Sequence, residues 1–201
     1  MCRVLERGRA YDNSPRESHD NPSQGRPRSC RRWQRCKRRA DCIAEVYDPT
    51  TNSWTPAASL NTVRASHTAT LLADGRVLAA GGEQGSGVLS SVEIYDPVAN
   101  TWTVLPAMGR PRRDHTASLL PDGSVLVAGG TDISGVPTNQ AELLDSHAVG
   151  WQPLQPMRTR RRAHTAAALP NGRVVVAGGT GLNSHRPLKY VRSLDAQGKS
   201  G

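Results

Sequence analysis

The chain has 201 residues, enough to bury the core of an ordinary domain, and a formal net charge of +9. That charge is uneven: residues 1–43 carry 12 Arg/Lys against 5 Asp/Glu, whereas residues 44–201 carry 14 against 12, so the basic balance describes a tail and assigns no nucleic-acid or membrane-surface face to the body. Nothing approaches the ~18 apolar residues of a membrane span, and the opening "MCRVLERGRAYDN" has charges without the apolar stretch of a secretory signal.

Residues 1–43 read as a basic, disordered tail. "RPRSCRRWQRCKRR", residues 26–39, has eight basic residues, one aromatic and no acid. That pattern fits a nucleic-acid patch or nuclear address, but so little in it can be buried that a solvated segment is the favoured reading. Cys2, Cys30, Cys36 and Cys42 all lie here, and the six-residue steps from Cys30 to Cys42 differ from the paired ligands of structural zinc. Arg outnumbers Lys 23 to 3 in the chain, the bias of a GC-rich coding sequence, and out-of-frame translation of such DNA also yields Arg-, Pro- and Cys-rich peptide.

From residue 44 the chain repeats itself. "EVYDP" and "NSWT" read as two strands joined across Asp-Pro and a polar turn with Asn52; "HTATLL" and "RVLAAGG" follow, flanking Asp74-Gly75. The later copies place Asp122-Gly123 and Asn171-Gly172 at that turn, and these dipeptides predict two-residue type I′ hairpins. "SVLVAGG" is a continuous apolar run, as expected of an inner strand covered on both faces. The closing glycine pairs Gly81-Gly82, Gly129-Gly130 and Gly178-Gly179 leave room where another backbone must come close.

The landmarks keep one interval. Trp54, Trp102 and Trp151 stand 48 and 49 residues apart, and Arg64, Arg112 and Arg161 follow the same spacing, as do His67, His115 and His164 and Glu45, Glu93 and Glu142. Units lie near 44–92, 93–141 and 142–191, with a fourth starting at 192. Each is a four-stranded antiparallel meander.

Gly-Gly, then Tyr-Asp, then Trp six residues after the Asp, at a period near 50, resembles the kelch repeat of β-propellers. The wording around "HTATLLADGRVLAAGG" is especially similar to bacterial kelch proteins and the propeller of galactose-oxidase-like enzymes. The resemblance covers residues 44–195 and implies an all-β, kelch-type β-propeller, partial, with about three blades. It also implies Trp and Tyr rings packed between blades. Propellers typically close with about 4–8 blades, so either a fragment of a longer propeller or self-association to complete one is expected, the fragment being favoured. An extracellular home is implied by the resemblance alone.

Little catalytic chemistry is legible. The three His recur in every unit, whereas a catalytic constellation is needed once, so they read as structural. Their convergence into a three-His metal site is the weaker alternative, and no cofactor is expected. The copper-radical site of galactose oxidase needs a Cys–Tyr link, and the body from residue 44 has no cysteine. The expected role is a non-catalytic interaction module, with a piece of a larger kelch enzyme or a truncated product without autonomous function as alternatives.

Variation concentrates in the loops after each Gly-Gly and in the links between units, which a meander puts at one end. Candidate binding residues are therefore Glu83, Gln84 and Asp132, the link residues Arg110, Arg113, Arg158, Arg160 and Arg162, and Asn183, His185 and Arg186. A basic patch there suits an acidic protein or an anionic polysaccharide. Nucleic acid is disfavoured because the body lacks interleaved aromatics for stacking.

Overall fold

The computed structural model describes residues 42–182 and the backbone of 191–194. The expectations for residues 1–41, and for Asn183, His185 and Arg186, lie outside the described residues. No helix occurs among the described residues, and none is long and apolar enough to cross a membrane.

Among the described residues fifteen strands form in chain order. β1 (Ala44–Asp48) and β2 (Ser53–Ala57) pair with each other. β3 (Thr68–Leu71) and β4 (Val77–Ala80) lead to a short hairpin, β5 (Glu83–Gln84) and β6 (Gly87–Val88), and then to β7 (Val92–Asp96) and β8 (Thr101–Leu105). β9 (Thr116–Leu119), β10 (Val125–Ala128), β11 (Ala141–Leu144) and β12 (Trp151–Leu154) repeat the arrangement, as do β13 (Thr165–Ala168), β14 (Val174–Ala177) and β15 (Val191–Leu194). Two sheets have four antiparallel strands, ordered β3-β4-β7-β8 and β9-β10-β11-β12; β13-β14-β15 make a three-stranded sheet. The first strands β3, β9 and β13 stand next to one another.

The cores lie between successive sheets. Leu78, Ala80 and Val92 of one sheet, with Met108 from the following link, pack against Val125, Val127 and Leu144 of the next. Leu126, Ala128 and Ala141 pack in turn with Met157, Val174 and Val176. Because strand side chains alternate sides, β10 sends Val125 and Val127 into one core and Leu126 and Ala128 into the other. That double duty is why "VLVA" is apolar throughout.

The tight turns differ from the type I′ expectation. Gly75, Gly123 and Gly172 have φ of 86°, 84° and 80°, but Asp74, Asp122 and Asn171 are not among the positive-φ residues. Gly75 N–H donates to Leu72 C=O at 3.1 Å and Leu72 N–H to Arg76 C=O at 2.8 Å, the geometry of a type I turn followed by a left-handed glycine bulge. The acidic side chain settles the choice, since Asp74 Oδ1 accepts the Arg76 N–H at 3.0 Å.

The expectation of rings between sheets is met by Trp151, which packs against the core shared by the two full sheets. Tyr95 and Trp102 are cross-strand neighbours within one sheet, ring centroids 5.1 Å apart. The indole N–H groups also bond away from their own sheets, Trp102 donating to Ala58 C=O at 2.8 Å and Trp151 to Pro106 C=O at 2.9 Å. Cys42, read as the end of the tail, is buried, and its carbonyl accepts the Leu60 N–H.

Candidate functional site

The tight turns occupy one end of each sheet and the Gly-Gly loops and inter-sheet links the other. At this link end the repeated polar residues are consumed by the fold. Arg64 and Glu93 form an ion pair at 2.6 Å with neither side chain exposed. The other guanidinium nitrogen donates to Gly81 C=O at 2.7 Å and Ser91 C=O at 3.1 Å. Glu93 also accepts the Asn61 and Thr62 backbone N–H groups, at 2.7 and 2.9 Å, and so pins the link that enters the sheet. Burial pushes the Glu93 carboxyl up, but the bonds from Arg64 and Asn61 outweigh it and hold the group below its ordinary range. Arg112 repeats the design with Glu142, whose other oxygen accepts the Gly109 N–H at 2.6 Å.

The glycine pair has two separate tasks. A Cβ on Gly81 would lie 2.5 Å from Arg112 C=O and 2.9 Å from the His115 ring, both in the following unit. On Gly82 it would instead meet Ala65 C=O and His67 of its own unit. Gly129 and Gly130 reproduce both contacts.

The histidines fasten neighbouring first strands. His115 Nε2 lies 3.0 Å from Thr68 Oγ1, and His164 Nε2 lies 2.9 Å from Thr116 Oγ1. Burial first, then the nearby Arg112, lowers the His115 pKa to about 3; burial and Arg161 lower that of His164 to about 4. Both rings are therefore neutral at pH 7. Their Nδ1 atoms are buried without a hydrogen-bond partner, so a second proton there would have no acceptor. Among the described residues no group of three or more His, Cys, Asp or Glu is arranged to hold a metal.

The residue before each histidine is left-handed although none is glycine: Ser66, Asp114 and Ala163 have φ of 54°, 53° and 49°. Asp114 N–H donates to Ser66 C=O at 3.1 Å, and Ala163 N–H to Asp114 C=O at 2.9 Å. A hydrogen-bonded file thus runs from unit to unit beside the first strands. Ser, Asp and Ala share no side-chain chemistry, so this feature leaves no mark in the sequence; the recurring His-Thr dipeptide could have announced the Thr partners.

The variable residues divide into two groups. Glu83 and Arg113 pair with each other between successive units, and Asp132 accepts the Ser134 and Val136 N–H groups of its own loop at 2.9 and 3.0 Å. These three organise the link end. Gln84, Arg110, Arg158 and Arg160 are exposed, and Arg162 is half-buried. None of these four arginines makes a side-chain ion pair among the described residues. Thr131 stands at the bridge position in its unit that Glu83 holds in the preceding one, so Arg162 meets no carboxylate there.

A family model for the Kelch motif matches residues 64–109, the span from Arg64 through β8 to the next link. A search of curated proteins finds none that matches.

Proposed function

Since the chain is a kelch-repeat protein with the strand-rich build of a partial β-propeller, we propose that it is a non-catalytic interaction module whose link end receives an acidic protein surface. The observation that carries this reading is the unequal use of charge at that end. The repeated Arg64 and Arg112 are buried against Glu93 and Glu142, whereas Arg110, Arg158, Arg160 and Arg162 make no ion pair with a carboxylate among the described residues. Solvated cations on a rigid frame attract an anionic partner at modest cost, because little must be reorganised on binding. Kelch repeats are generally scaffolds without chemistry of their own, and the neutral, sheet-bonded histidines suit fastening better than proton transfer.

Fluorescence anisotropy with labelled polyglutamate, heparin and a neutral polypeptide tests the reading. Salt-sensitive binding of polyglutamate is expected. Preference for heparin would make an anionic polysaccharide the partner class, and equal, weak binding of all three would sink the proposal.

A further inference from the structure

The seams between successive units share their backbone bonds but differ in their side chains. Gly82 N–H donates to Arg112 C=O and Gly130 N–H to Arg161 C=O, both at 2.9 Å, so each glycine pair meets the link of the following unit in the same way. The next residue of each link exchanges two backbone bonds with the loop of its own unit, Arg113 with Thr131 and Arg162 with Thr180. Arg113 and Arg162 are therefore equivalent, as are Glu83 and Thr131, the residues that follow the two glycine pairs. Resting on the link-end reading, we propose that Arg162 is the seat for a glutamate side chain of the acidic partner, which takes at the second seam the place that Glu83 takes at the first.

The first seam shows what such a seat accepts. Glu83 pairs with Arg113 across the two units, and their side chains remain 27% and 29% exposed, so a carboxylate in this position is reached from solvent. At the second seam Asp132, the one acidic residue of 131–138, is turned onto its own loop, where it accepts the Ser134 and Val136 N–H groups. Thr131 is fully buried, and its hydroxyl has no hydrogen-bond partner among the described residues. A short buried side chain thus stands where the first seam has a carboxylate, and Arg162 makes no ion pair among the described residues.

Burial separates Arg162 from its neighbours. Arg158 and Arg160 are exposed, whereas Arg162 is half-buried and its backbone is fixed by two bonds to Thr180, each of 3.0 Å. Less freedom is lost when it binds an anion, and partial exclusion of water strengthens the pair. Arg158 and Arg160 add attraction at longer range. Ile133 and Leu182, two residues beyond Thr131 and Thr180, are 73% and 62% exposed. Apolar side chains in the loops that carry the two threonines suit a polypeptide better than a polysaccharide.

Anisotropy of labelled polyglutamate on the full chain and its variants tests the seat, with circular dichroism to check each fold. Arg162→Ala should weaken binding at least threefold. Thr131→Glu, which supplies the carboxylate from within, should weaken it to a similar extent. Glu83→Thr should act in the opposite sense, freeing Arg113 and strengthening binding at least twofold. If Thr131→Glu does not fold, the other two variants decide. Affinity within twofold of the unaltered chain for Arg162→Ala, or unimpaired binding by folded Thr131→Glu, would overturn the seat and leave the link-end reading standing. No binding of polyglutamate by the unaltered chain would overturn both, and tighter binding of heparin with the same dependence on Arg162 would overturn the assignment to glutamate.

Discussion

Glu93 and Arg64 are joined at 2.6 Å with no solvent on either side chain, and the same carboxylate holds the backbone of Asn61 and Thr62. One residue thus neutralises a buried cation and ties a sheet to the link that enters it. Removing it alone leaves Arg64 charged and buried, so Glu93→Ala should cost about 3–5 kcal/mol in urea denaturation. Replacing both partners by Leu and Met should cost less than the single change. A loss below 1 kcal/mol for Glu93→Ala would mean that water reaches the pair.

Stability should fall on mild acidification. His115 and His164 titrate near 3 and 4 when folded and near the ordinary 6.5 when unfolded. Between those values the unfolded chain binds more protons, so the stabilisation is fully present above about pH 6.5 and is lost as pH falls toward the folded values. Chemical denaturation should show a decrease of about 2–3 kcal/mol from pH 6.5 to 5, and His115→Gln should flatten roughly half of the slope. Glu93 acts only lower, because its carboxyl lies below the ordinary 4.5. A flat profile from pH 7 to 5 would contradict the buried His–Thr contacts.

Gly81 and Gly75 separate packing from backbone strain. Both have positive φ, 62° and 86°, but a Cβ on Gly75 meets nothing within 4 Å, whereas on Gly81 it runs into the Arg112 carbonyl. Gly75→Ala should therefore cost about 1 kcal/mol for the left-handed conformation alone. Gly81→Ala should cost at least twice that, because two sheets must separate. Equal melting-temperature shifts would show that the sheets yield freely.

Trp102 and Trp54 occupy the same place in successive repeats with different surroundings. Trp102→Phe loses the bond to Ala58 and should cost about 1 kcal/mol. Trp54→Phe should stay within about 0.5 kcal/mol, since its ring is exposed. Thermal melts at low protein concentration distinguish the two.

Much of the architecture was legible because repetition turns weak local signals into a strong joint one. The apolar run of β10, the glycine pairs and the recurring Trp each survive comparison across units, and each does in the structure what a layered sheet needs. The turn type was not legible from Asp-Gly, since that dipeptide serves both a type I′ turn and a type I turn with a bulge. The partners of repeated polar groups were equally hidden. Glu93 and Arg64 are 29 residues apart, and only the register of β7 against β4 brings them together. At the link end, Glu83, Arg113 and Asp132 had the composition of a binding surface, but pairing of Glu83 with Arg113 and the backbone bonds to Asp132 use them internally. Arg162 escapes that fate because Thr131 of the preceding unit stands where Glu83 meets Arg113.

The measurement that bears most directly on this division of labour is the affinity of an Arg158→Ala, Arg160→Ala, Arg162→Ala triple variant for labelled polyglutamate, relative to the unaltered chain, at low and physiological salt. The account predicts at least a tenfold loss at low salt, a shallower salt dependence and an unchanged melting temperature. Unchanged affinity would contradict it, because the arginines left outside the fold's own bonding would then have no part in recognition.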